Sequence, residues 1–187
     1  MSCMIDKDLI DKTINFHGHT CPGLAIGIRV SELAMQKLNI TDIESPNARP
    51  AVAKTIVCVV ETDMCGVDAI QFLTDCTFGK GNLIHNDFGK AGFTFFDREE
   101  NIGFRAVYIK QNKSGDNKNV YIKKIMDADL DTLFKIENIT TPPVKPARIL
   151  QSIECENCKE MTMESRIRRF DNKYLCIPCF MENEQKI

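Results

Sequence analysis

Two cysteine pairs near the C-terminus, Cys155-x-x-Cys158 and Cys176-x-x-Cys179, limit most sharply what this chain can fold into. Each pair makes a tight turn that presents two thiolates, and the seventeen residues between the pairs match a four-cysteine zinc site. The segment that carries them is too short to bury a useful core, so bound metal must supply much of its folding energy. Iron in the same four-thiolate geometry is the alternative ion. Four protein ligands leave no open position, so the site reads as structural. Upstream, Thr140 to Pro146 holds three prolines in seven residues, a stiff linker and the best boundary in the chain. The expected organisation is a core over 1–140, a Pro-rich linker over 141–150 and a zinc-binding module over 151–187.

The chain has nine cysteines. An odd number cannot pair completely within one chain, and Met1 to Lys7 lacks the apolar stretch of a signal peptide. A reducing, cytoplasmic setting is therefore expected, with metal binding preferred over disulfides. No apolar run reaches membrane-spanning length, and a net charge of −2 gives nucleic-acid binding no support. Five cysteines remain outside the C-terminal motif: Cys3, Cys21, Cys58, Cys65 and Cys76.

Cys21 stands in the stretch Phe16-His17-Gly18-His19-Thr20-Cys21-Pro22-Gly23, which also holds two of the three histidines. Pro22 suits the first position of a helix. That sets Cys21 at the N-cap, beside unpaired N–H groups and the positive end of the helix dipole, where a thiol ionises more readily. Gly18 lets the backbone turn between the imidazoles. Residues 6–16 predict a short amphipathic helix leading to His17. Leu24, Ile28, Leu33-Ala34-Met35 and Leu38 predict a helix over 22–38, and small residues at Ala25, Gly27 and Ala34 permit close packing. Asn39 to Pro50 reads as a turn-rich connection.

The β-branched run Thr55 to Val60 predicts a central strand with Cys58 packed in the core. A helix follows, capped by Thr62 or Asp63, with Cys65 in its first turn and Asp68 on the same face. A strand end feeding a helix start is a common place for functional groups, so Cys65 is the natural partner of His17, His19 and Cys21. Gly79-Lys80-Gly81 and Gly89-Lys90 are either tight turns around a strand at Asn82–His85 or an anion-binding site. His85 reads as a surface residue. Gly92 to Asp97 and Gly103 to Ile109 predict a hairpin, Ser114-Gly115-Asp116 a turn, and Tyr121 to Ile136 a third helix. The fold class is α+β, a mixed helix and antiparallel-rich sheet core with a small zinc-ribbon-like module.

Three chemistries fit these residues. A metal site of His17, His19, Cys21 and Cys65 suits zinc, nickel or iron. With three ligands a position stays open, Asp68 orients a histidine or moves a proton, and Lys80 and Lys90 neutralise a small anionic substrate. Without a permanent metal, Cys21 and Cys65 form a redox or nucleophilic pair. As a non-enzymatic alternative, the zinc ribbon binds a protein partner or nucleic acid through Arg166, Arg168 and Arg169. Glu154, Glu156, Glu160 and Glu164 weigh against nucleic acid.

The Phe16–Gly23 stretch with Gly27 resembles the signature of the formylmethanofuran dehydrogenase E-subunit family. Cys65-Gly66-Val67-Asp68-Ala69-Ile70-Gln71 is similar to its second motif, and Cys76 to Leu83 with Asp87-Phe88-Gly89-Lys90 to its third. The C-terminal four-cysteine module is similar to one that many family members carry. The resemblance implies an α+β core with a zinc-binding appendage, a homodimer, and a metal-associated pocket lined by His17, His19, Cys21 and Cys65. It also implies association with a molybdenum or tungsten oxidoreductase complex; it transfers the site with more force than any reaction.

Overall fold

The computed structural model describes residues 3–40, 55–110, 115, 117–143 and 149–184. The connection expected at Asn39 to Pro50 lies outside these residues from 41 onward. Ser114 and Asp116 of the expected turn and residues 144–148 of the expected linker lie outside them too. The chain forms two compact units, Met1–Lys145 and Pro146–Ile187. Among the described residues, no helix is long and apolar enough to cross a membrane.

In the first unit, α1 (Lys7–His17) is capped by Asp6, whose side chain accepts the Asp8 N–H. It ends at Gly18, whose φ of +88° is left-handed and whose N–H closes on Ile14 O. Three residues later α2 (Pro22–Lys37) starts on Pro22. Its inner face is almost wholly buried, and Arg29 and Glu32 are buried with it. These two pair at 2.7 Å. Arg29 Nη2 also donates to Ala128 O, and Glu32 Oε1 accepts the Met4 N–H at 2.8 Å. The buried charges thus tie α2 to the N-terminal segment and to the turn at Ala128, with no charge left uncompensated.

The sheet comprises β1 (Ile56–Val60), β2 (Leu83–His85), β3 (Gly92–Asp97), β4 (Ile102–Tyr108) and β5 (Phe134–Ile139), in spatial order β2-β1-β3-β4-β5. β1 pairs with β2 in parallel; every other pairing is antiparallel. β1 is buried along its whole length, Cys58 included. Between β1 and β2 runs α3 (Gly66–Thr74), and α4 (Lys118–Asp127) and the single turn α5 (Leu130–Leu133) lead into β5. Apolar residues of α2, the sheet and α4 form one core cluster, among them Val30, Leu33, Val60, Phe95, Phe104 and Ile125. A second, with Leu24, Ile28, Leu73 and half-buried Leu9 and Ile10, joins α1, α2 and α3.

One expectation is corrected here. The third helix does not reach Ile136; it stops at Asp127, and Phe134 opens a strand. β5 lies against β4 in register Tyr108↔Phe134 to Gly103↔Ile139. It supplies the ladder partners that β4 needs on that side, which outweighs the local helical pattern.

The second unit is a small ribbon: β6 (Ser152–Glu154) pairs with β7 (Met161–Met163), β8 (Ile167–Phe170) with β9 (Lys173–Cys176), and α6 (Ile177–Glu184) follows. Its apolar content is slight. Leu175 is buried, and the Phe170 and Phe180 rings meet edge to face at 5.7 Å.

Candidate metal centres

The core site is assembled by a contact between two helix N-termini. Cys21 is the N-cap of α2 with extended backbone, and its Sγ accepts the Leu24 N–H at 3.3 Å. Cys65 is the N-cap of α3 rather than a first-turn residue; Thr62 Oγ1 instead accepts the Met64 N–H in the preceding turn. Glycine brings the helices together. A Cβ on Gly27 would lie 2.2 Å from the Gly66 carbonyl oxygen and 2.6 Å from its Cα, so only bare backbone fits on both sides. One turn earlier, a Cβ on Gly23 would lie 3.2 Å from Cys65 Cβ, 3.8 Å from Cys65 Sγ and 3.9 Å from Cys21 Sγ. Gly23 is the floor beneath both sulfurs.

The histidines reach this floor from the end of α1. The His17 and His19 rings are 4.4 Å apart. His17 Nδ1 is 2.7 Å from Asp68 Oδ2, and Nε2 lies 3.9 Å from Cys21 Sγ. The His17 side chain is 9% exposed and that of Asp68 41%, so the carboxylate reaches in from the solvent side to hold a nearly buried ring. One donor atom each from His17, His19, Cys21 and Cys65 lie within 4.8 Å of one another. Burial, then the adjacent Cys21 thiol, pushes the Cys65 thiol above its ordinary pKa.

This donor set fits a transition-metal ion. Bonds of about 2.0–2.3 Å to nitrogen and sulfur set tetrahedral ligand atoms about 3.3–3.8 Å apart, so the cluster needs to contract by only about 1 Å. A carboxylate on the far nitrogen of a ligating imidazole is the usual support for such a ring.

The C-terminal cluster is tighter still. Cys158 and Cys176 Sγ are 3.8 Å apart, the edge of a tetrahedron with zinc–sulfur bonds of about 2.3 Å. All four of Cys155, Cys158, Cys176 and Cys179 offer a sulfur within the same 4.8 Å limit. The Cys176 N–H donates to Cys155 Sγ at 3.3 Å, and Asn157 Nδ2 to Cys179 Sγ at 3.3 Å. The Cys176 N–H is the main cause that pulls the Cys155 thiol down to about 6. For Cys158 the Glu160 N–H pulls down, but burial and the other three thiols outweigh it and push Cys158 up to about 12. Four thiolates this close need a divalent cation to ionise together.

The remaining predicted residues lie elsewhere. Lys80 pairs with Asp75, the C-cap of α3, about 15 Å of helix away from Cys65. Lys90 stands at the C-terminal end of β1, where its N–H donates to Glu61 O at 3.0 Å. His85 ends β2 and is half-buried. Glu61 carries no local sequence signal. Its carboxylate is buried and bound by Arg105 through Nε at 2.6 Å and Nη2 at 2.8 Å. Space for it exists because residue 92 is glycine; a Cβ there would come within 2.8 Å of the carboxyl carbon. A cavity of about 860 Å³ between α1, α2 and α3, lined by Met4, Leu9, Phe16, Met35 and Phe72 among others, includes no member of the His/Cys cluster.

Comparison with known proteins follows the same division of the chain. Residues 16–141 match the family described as FmdE, molybdenum formylmethanofuran dehydrogenase operon. Residues 148–185 match the prokaryotic dksA/traR C4-type zinc finger. An Archaeoglobus fulgidus protein named as a probable S-adenosyl-L-methionine-binding protein is 29% identical over 91% of this chain. The chain spans about half the length of that relative, 52%. The crystal structure of an FmdE-like protein of tungsten formylmethanofuran dehydrogenase from Syntrophus aciditrophicus shares the fold, with a TM-score of 0.67. That match has 19% identity and covers 96% of this chain and 94% of the other. With two thirds of its length matched by the family model, this chain belongs to the FmdE family, as a member with a His/Cys cluster in its core and a four-cysteine zinc-finger module after it.

Proposed function

We propose that the core is a single-metal centre held by His17, His19, Cys21 and Cys65, and that the chain serves a molybdenum- or tungsten-dependent oxidoreductase as a metal-carrying component. The observation that carries this reading is the convergence of four nitrogen and sulfur donors from separate elements to within 4.8 Å. Zinc, nickel and iron all accept such donors. When bound, the ion supplies fixed positive charge that ionises the two thiols and polarises an oxygen at any position left open.

The protein's own groups have distinct tasks. Asp68 takes the Nδ1 proton of His17 and so turns Nε2 toward Cys21. His19 is exposed, so it is the ligand able to exchange a proton with solvent. Cys21 and Cys65 are the candidate nucleophiles. Lys90 is the cation placed to neutralise a small anionic substrate, while Lys80 is engaged at the other end of α3.

The family resemblance supports a homodimer. Met64, beside Cys65, and Phe88, beside Lys90, are 64% and 61% exposed, and a second copy covering this end would bury them. Gly27 does not contribute to such a contact, because Gly66 already fills its face. Both clusters need reduced thiols, which supports a cytoplasmic setting.

Isolation of the tagged full chain from its native host, with molybdenum and tungsten measured in the retained fraction, tests the reading. Co-elution of a molybdenum- or tungsten-containing oxidoreductase is the expected result. Elution of the chain free of both elements would contradict it.

A further inference from the structure

The zinc-binding unit is electrically divided. Residues 166–174 hold four cations, Arg166, Arg168, Arg169 and Lys173, with Asp171 as the single acid. The rest of the described unit has Glu154, Glu156, Glu160, Glu164, Glu182 and Glu184 against Lys159 alone. The cations sit on and beside the β8–β9 hairpin, whose two-residue turn is set by left-handed Asp171 (φ +46°) and Asn172 (φ +58°).

The register distributes charge over both faces. Arg169 lies opposite Tyr174 on one face; Arg168 opposite Leu175 and Phe170 opposite Lys173 share the other. All four cations are exposed, and Tyr174 is 49% exposed. Among the described residues none of the four meets a carboxylate. Arg168 donates to Ile167 O, Arg169 to Asn172 Oδ1 and Arg166 to Ser165. Several of the unit's own carboxylates are already engaged. Glu156 accepts the Tyr174 N–H, Glu164 the Gln151 N–H, and Glu154 pairs with Lys159.

We propose that this hairpin is a docking finger for an acidic segment of a partner protein. Arginine forks and an exposed tyrosine are the side chains that bind carboxylates and pack in protein interfaces. The acidic remainder of the unit chooses between polyanions. A nucleic acid longer than the finger runs on into six carboxylates, whereas a short acidic segment meets only the hairpin, and charges beyond about 8 Å are screened at physiological salt. The finger is built by the metal, because β9 ends in Cys176. This inference is independent of the chemistry at the His/Cys cluster.

The test uses the full chain loaded with zinc. Anisotropy of a fluorescein-labelled peptide alternating glutamate and glycine is read against that of a labelled single-stranded oligonucleotide of mixed sequence. The peptide should bind, and should bind at least about tenfold more weakly to the R166Q/R168Q/R169Q variant. Tyr174→Ala should weaken it further, with zinc content unchanged in each variant. Asp68→Ala should bind the peptide like the unaltered chain, which separates this result from any failure at the core site. Equal peptide binding by the triple variant, absence of peptide binding at low salt, or tighter binding of the oligonucleotide would each overturn the proposal.

Discussion

His17 Nδ1 lies 2.7 Å from Asp68 Oδ2 across a separation of 51 residues, tying the end of α1 to the first turn of α3. The bond holds the ring so that Nε2 faces Cys21.

Asp68→Ala should leave the fold intact, since the Asp68 side chain is 41% exposed. It should weaken metal binding at the core about 10- to 100-fold, the usual cost of losing a carboxylate behind a ligating histidine. Competition with a chromophoric chelator measures it. Asp68→Asn, which still accepts the Nδ1 proton, should lose less.

The glycines predict a ranked series. Gly27→Ala drives a methyl into the Gly66 backbone and should cost about 3 kcal/mol or abolish folding. Gly23→Ala meets only Cβ and sulfur atoms at 3.2–3.9 Å, so it should fold with a cost of about 1 kcal/mol. Its effect should fall on metal affinity, because the methyl presses on the two sulfurs. Denaturant unfolding and chelator competition separate the two effects.

Glu61 predicts a pH dependence. Its hydrogen bonds from Arg105 hold its carboxyl below the ordinary 4.5, against burial. The unfolded chain therefore takes up the proton first. The stabilisation is complete above pH 4.5 and drains away as pH falls through the lower folded-state value. Glu61→Gln should cost about 2 kcal/mol near neutrality. The gap from the unaltered chain should narrow in acid, read by urea unfolding at the two conditions.

Removal of the C-terminal metal should unfold the ribbon alone. Zinc supplies about 10 kcal/mol or more in such sites, and Leu175, Phe170 and Phe180 are too small a core to replace it. Cys155→Ser should therefore abolish hydrogen-exchange protection in β6 to β9 while leaving α2 and β1 protected.

Much of this was legible in the sequence because the signals are local. Pro22 after Cys21 marks a helix start, Gly18 a helix stop, and the run Ile56 to Val60 a buried strand. The Phe93 and Phe104 segments form the expected hairpin. β5 was not legible, since Phe134-Lys135-Ile136-Glu137 follows a helical turn without a break and becomes a strand only because β4 offers it an edge. The grouping of His17, His19, Cys21 and Cys65 could be proposed from a tight motif and a strand-to-helix junction. The means of bringing them together could not. That Gly27 meets Gly66, and that Gly23 underlies both sulfurs, are tertiary contacts with no local signature. Lys80 shows the reverse case: a glycine–lysine turn suggested an anion site, and the fold pairs the lysine with Asp75 at the far end of α3.

The most direct measurement is metal content per full-length chain by elemental analysis, comparing the unaltered protein with H19A/C21A. The unaltered chain should hold about two ions and the variant about one, with protection of β1 and α2 unchanged. A variant that keeps as much metal as the unaltered chain, or an unaltered chain whose only ion is lost with Cys155→Ser, would contradict a metal centre in the core.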